Sequence, residues 1–182
     1  MTDDAFTTCP VDKIASSTGH CDVQSPVTLS PYVVAQHGYL VVVRALDEKD
    51  QYDEVECQDG VFRHIKEGDV LVGTLGGRQA LKGYSGRVPR HIAPGDTLNV
   101  LNLGGLIGEC TAPHPDVGPA LPVEVLGAVM VNRDDQWVHA RIQEDALEMV
   151  HRLETSVPII AVSGTAMDTG KTKAASIIVE GL

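Results

Sequence analysis

Apolar residues in this chain fall in short runs, broken every few positions by Gly, Pro, Asn or Asp. That punctuation predicts strands joined by tight turns rather than long helices. The first 31 residues mix Ser, Thr, Asp and Pro without periodicity and are expected to be a flexible arm that adds at most one edge strand. Structure is expected to begin at Tyr32. The stretch VVAQHGYLVVVRAL (33–46) reads as strand, and the acidic DEKDQYDE after it as turn. Further strands are predicted in VLVGTL, TLNVLNL, VEVLGAVMV and QWVHARI, the last two forming a hairpin about NRDD. TAPHPDVGPALP carries four prolines and must be a surface loop. Residues 32–141 are thus expected to form a small antiparallel β-barrel.

The pattern then changes period. Ile142, Ala146, Met149, Val150 and Leu153 share one face of a helix, which predicts a connecting helix over residues 142–157. PIIAV (158–162) is continuously apolar, as in a strand buried on both faces of a parallel sheet, and KTKAASIIVEG follows as helix. Residues 158–182 therefore read as strand, loop and helix.

An internal repeat runs through the β region. VFRHIKEGDVL leading to Leu75-Gly76-Gly77 matches VPRHIAPGDTL leading to Leu103-Gly104-Gly105, with His64 falling on His91 at an offset of 27 residues. In each copy the Gly of Gly68-Asp69 or Gly95-Asp96 permits positive φ, and the carboxylate is placed to accept backbone N–H groups across the turn. These turns resemble the GD boxes of cradle-loop barrels and the GD turn of the second-domain barrels of translation factors. For Arg63, His64, Arg90 and His91 two readings stand side by side. They are solvent-facing residues of a duplicated barrel, or they line a groove for a small anionic metabolite with the diglycines supplying N–H groups.

Composition narrows the partners. The chain has 182 residues, with 14 Lys and Arg against 25 Asp and Glu, a net charge of −11. That field repels phosphate backbones and anionic lipid, so neither nucleic acid nor membrane surface is expected as a partner. There is no apolar run of membrane-spanning length, and the amino terminus is acidic where a secretory leader is basic; a cytoplasmic protein is expected. Cys9, Cys21, Cys57 and Cys110 are scattered without a CxxC pair, which fits free thiols.

The strongest chemical signal is GTAMDTGKT, between the last predicted strand and helix. Five residues separate Gly164 from Gly170, one more than in the plain phosphate-loop pattern. This spacing resembles the loop of dethiobiotin synthetase and related ATP-dependent ligases, with Ala166 where an acidic residue often stands and Asp168 at the second acidic position. The resemblance implies a P-loop site for ATP or GTP with Mg²⁺. Residues 164–172 would cradle the phosphates, with Gly164, Thr165, Ala166, Asp168, Thr169 and Gly170 as the loop; Lys171 would serve as catalytic cation, and Thr172 as Mg²⁺ ligand. It further implies kinase- or ligase-like phosphoryl transfer in an intact protein. The sequence is expected to hold only the truncated start of that domain and, by itself, to be inactive. A regulatory module, with the barrel sensing a metabolite or partner protein and the nucleotide domain switching it, is the alternative; a barrel that serves oligomerisation is a third. Oligomeric state is left open.

Overall fold

The computed structural model describes residues 6–80, 83–152, 154–165 and 169–182. The chain is mainly β, and it divides into two compact units, Met1–Ala146 and Leu147–Leu182.

The first unit is built on five strands: β4 (Leu40–Ala45), β7 (Val70–Leu75), β9 (Thr97–Val100), β10 (Leu106–Pro113) and β11 (Pro122–Arg133). Their pairings run β11 to β4, β4 to β7, β7 to β10, β10 to β9 and β9 back to β11, a closed ring. The ring departs from the expected antiparallel barrel at one pairing, β7 with β10, which run in parallel. The reason lies in the connection. Residues 76–105 include the whole second repeat, so β10 can return in the same direction as β7, which a tight hairpin forbids.

Six of the remaining strands attach to this ring or to each other: β1 (Thr7–Cys9), β2 (Lys13–Ile14), β3 (Val27–Ser30), β5 (Glu54–Glu56), β6 (Phe62–His64) and β8 (Tyr84–Arg87). A twelfth, β12 (Gln136–His139), forms the expected hairpin with the end of β11. β5 and β6 make a separate two-stranded ribbon. The register of β11 shifts between Val125 and Gly127, and the strand divides its work there. Its first half closes the ring between β4 and β9; its second half carries β3 and β12.

Two cores explain why β4 is apolar at successive positions. Val41, Val43 and Ala45 pack inside the ring with Leu75, Ile107, Val123 and Val125. Leu40 and Val42 point the other way and pack with Val72 and Val129 against Cys21, Val23, Val27 and Leu29. The described part of the expected arm is therefore integral. β1 and β3 enter the sheet, β2 pairs in parallel with β7, and residues 21–29 cover the outer face of the ring. Periodicity missed this because the covering residues are isolated apolar side chains in turns and short strands.

The helix predicted over residues 142–157 is not formed among the described residues. One 3-10 turn, Ile142–Glu144, ends the ring unit, and the described residues after it form no helix until α1 (Lys171–Glu180). The face that was to be buried is open: Met149 is 90% exposed and Val150 63%. An amphipathic segment of this length has little helical stability without a surface to pack on. The strand predicted at 158–162 is likewise unformed, with Ile159 and Ile160 more than half exposed. A strand needs a partner for its N–H and C=O groups, and none is present among the described residues of the second unit.

Candidate phosphate-binding site

The predicted loop lies just before α1. Gly170 is the residue before the helix and takes left-handed angles, φ 86° and ψ 10°, which favour glycine. Gly170 at the N-cap offers no side chain to cap the helix, and the first turn carries Lys171 and Lys173 but no acidic residue. The first N–H groups of a helix have no partner within it and, together with the helix dipole, favour an anion. The chain folds back on itself here. A Cβ on Gly164 would collide with Oγ1 of Thr169 and stand 3.0 and 3.1 Å from Cγ and Cδ of Lys171. A residue larger than glycine at 164 would have to push these two side chains aside, and the Lys171 ammonium lies 3.5 Å from the Thr169 hydroxyl. Thr165, Thr169, Gly170 and Thr172 are exposed, and Lys171 is half-buried. Ala166 and Asp168 lie outside the described residues.

The repeat has a clear structural role. In the first copy the N–H of Gly68 donates to Ala45 O at 2.9 Å, and Asp69 O accepts the N–H of Ala45 at 2.9 Å. In the second, Gly95 donates to Val125 O at 2.8 Å and Asp96 O accepts from Val125 at 2.8 Å. Gly68 and Gly95 have φ of 87° and 90°. The carboxylates of Asp69 and Asp96 accept the N–H of Lys66 and Ala93 at 2.7 and 2.8 Å. Each turn thus clips one repeat to β4 or β11, two neighbouring strands of the ring. Asp69 has a further partner, the Lys13 ammonium. Burial works to raise the Asp69 pKa, but Lys13 and the Lys66 N–H outweigh it and hold it below the usual carboxylate value.

The paired cations preceding these turns differ between copies. Arg63 forms two hydrogen bonds with Asp59, at 2.8 and 2.6 Å, and these keep the Asp59 carboxyl well below the usual range. His64 lies 2.6 Å from Asp53 and 3.5 Å from Glu54. Arg90 and His91 are exposed. Among the described residues no hydrogen bond or ion pair links the two copies' Arg-His pairs, so they form no joint cluster. Next in sequence, Ile65 and Ile92 are both buried in the ring core.

Sequence reasoning missed two polar sites. His139 is largely buried; its Nε2 lies 2.7 Å from Leu40 O, and its Nδ1 accepts the N–H of Val34 at 3.3 Å. These partners require a neutral ring with the proton on Nε2, and burial holds its pKa below the ordinary histidine value, against the opposing pull of Leu40 O. The other is a cavity of about 550 Å³ on the outer face, where Arg133 bonds Asp145 at 2.6 Å. Cys21 lines it. Burial, followed by Asp145, pushes that thiol up to about 11, which makes it a poor nucleophile at neutral pH. All four cysteines are unpaired, and no group of three His, Cys, Asp or Glu is placed to hold a metal among the described residues. No helix among them is long and apolar enough to cross a membrane.

Comparison with known proteins adds no relative: no protein-family model, curated protein or solved structure matches this chain.

Proposed function

We propose that residues 164–172 bind the phosphates of ATP or GTP, and that the protein uses them for phosphoryl transfer of the kinase or ATP-dependent ligase kind. One observation carries this reading. Gly164 closely approaches the side chains of Thr169 and Lys171, and the loop leads through a left-handed Gly170 into a helix with lysines in its first turn. Helix N–H groups and Lys171 would receive the phosphate charge, and the Thr172 hydroxyl is the side chain suited to Mg²⁺. The metal, when bound with nucleotide, supplies charge neutralisation between phosphate oxygens.

The unpaired cysteines fit a reducing compartment, and we assign the protein to the cytoplasm. The direct test is titration of the chain with fluorescent ATP and GTP analogues in Mg²⁺. Saturable binding that Lys171→Ala abolishes is expected. Binding that is equally strong in that variant, or no binding at millimolar nucleotide, overturns the reading.

A further inference from the structure

The charge of the ring unit is unevenly placed. In a chain with net charge −11, residues 70–95 contain no Asp or Glu but do contain Arg78, Lys82, Arg87 and Arg90. Tertiary structure organises part of this stretch. Arg78 and Gly86 exchange two backbone hydrogen bonds, at 2.8 and 2.9 Å, which hold Arg78 beside the residue preceding Arg87. The bulge at Thr111, where the pairing of β10 with β8 slips between Cys110 and Ala112, completes a cavity of about 660 Å³.

We propose that this cavity, lined by Arg78, Gln79, Ala80, Ser85, Arg87 and Thr111, binds a small organic carboxylate. Arg78 is half-buried, its Nη1 donates to Leu101 O at 2.7 Å, and it has no carboxylate partner among the described residues. A guanidinium removed from much of its water and met by a carbonyl alone is under-compensated, and an anion corrects that. Among the described residues Arg87 pairs with Glu109 at 2.8 Å, with the side chains 69% and 46% exposed. Such an exposed, solvent-screened pair is weak, and a ligand carboxylate can replace Glu109. Ser85 Oγ accepts the Ala80 N–H at 3.3 Å, which leaves its O–H free to donate, and Gln79 and Thr111 add further polar groups. The volume lies in the range of small-molecule sites and exceeds what a bare inorganic anion fills.

The experiment is a titration of the full chain with succinate, and separately with inorganic phosphate, followed by backbone amide shifts at constant ionic strength. Succinate is expected to shift amides of residues 78–87 and 111, and Arg87→Gln to weaken it about tenfold or more, the factor that corresponds to about 1.4 kcal/mol. Arg78→Gln is expected to abolish binding. If that variant fails to fold, Arg87→Gln and Ser85→Ala carry the test, since neither side chain supports the core. Succinate shifts elsewhere, unchanged affinity in Arg87→Gln, or phosphate binding as tightly as succinate would each overturn the proposal. Lys171→Ala is expected to bind succinate like the wild type, so the outcome is independent of the nucleotide reading.

Discussion

The Asp96 carboxylate accepts the backbone N–H of Ala93 at 2.8 Å, and in the first repeat Asp69 makes the same bond to Lys66 while also holding the Lys13 ammonium. The two copies are alike in backbone and unequal in consequence. Asp96→Ala removes one turn bond to a charged acceptor and is expected to cost about 1–2 kcal/mol. Asp69→Ala also strands Lys13, whose side chain is 11% exposed, and is expected to cost more, about 2–4 kcal/mol. Urea denaturation of both variants checks the order. Equal losses would mean that Lys13 contributes nothing.

Residues 6–31 are expected to be indispensable to the ring unit. Their removal would uncover Leu40, Val42, Val72 and Val129, each of which is buried with Cys21, Val23, Val27 or Leu29. At about 1.5–3 kcal/mol for each side chain, that exposure rivals the whole stability of a typical domain. A chain beginning at residue 32 should therefore show no cooperative thermal transition by circular dichroism. A retained transition would restore the segment to the status of an arm.

Stability should fall between neutral and mildly acidic pH because of His139. Its folded pKa lies below the ordinary value near 6.5, so the unfolded chain takes up a proton first as pH drops. The contribution is complete above about 6.5 and declines as pH falls from there through the folded pKa. Protonation would set an Nδ1–H against the N–H of Val34. Asp69 acts in a separate window, lost only as pH falls through the carboxylate range. Denaturation midpoints at pH 7.5 and 5.5 should differ in the wild type, and the difference should shrink in His139→Gln.

Gly164→Ala places a methyl group against Thr169 and Lys171 and should displace the loop. Nucleotide affinity is expected to drop about tenfold or more, the loss of about 1.4 kcal/mol of loop geometry. The thermal transition reported by Trp137, the single tryptophan and a residue of β12, should be unchanged, because the substitution lies in the other compact unit. A lowered transition reported by Trp137 would contradict that independence.

Much of the fold could be read along the chain because strands and turns announce themselves locally. Gly68-Asp69 and Gly95-Asp96 were visible as turns, and TLNVLNL and VEVLGAVMV as strands, since alternation and turn chemistry act over a few residues. The helix expected from Ile142 was misjudged. Its apolar spacing was real, but a helix of that length depends on a surface to cover, and spacing contains no information about that surface.

The candidate sites divide in the same way. Gly164, Gly170 and Lys171 could be proposed as a phosphate loop from spacing alone, because such loops are contiguous in sequence. Of the two readings of Arg63, His64, Arg90 and His91, a shared groove would need them brought together, but Asp59, Asp53 and Glu54 engage the first pair and Arg90 and His91 are exposed. His139 and the Arg78 cavity could not be read at all, because their partners Leu40, Leu101 and Thr111 are distant in the chain.

What the sequence by itself determined was the mainly β character, the two GD turns, and the glycines of the loop before α1, since backbone stereochemistry and side-chain alternation are properties of neighbouring residues. Tertiary structure alone decided that β7 and β10 run in parallel, that residues 21–29 form the cover of an outer core, and that His139 is neutral. These depend on which surfaces meet, and the free energy of burying one apolar face or one imidazole is set by the groups across from it.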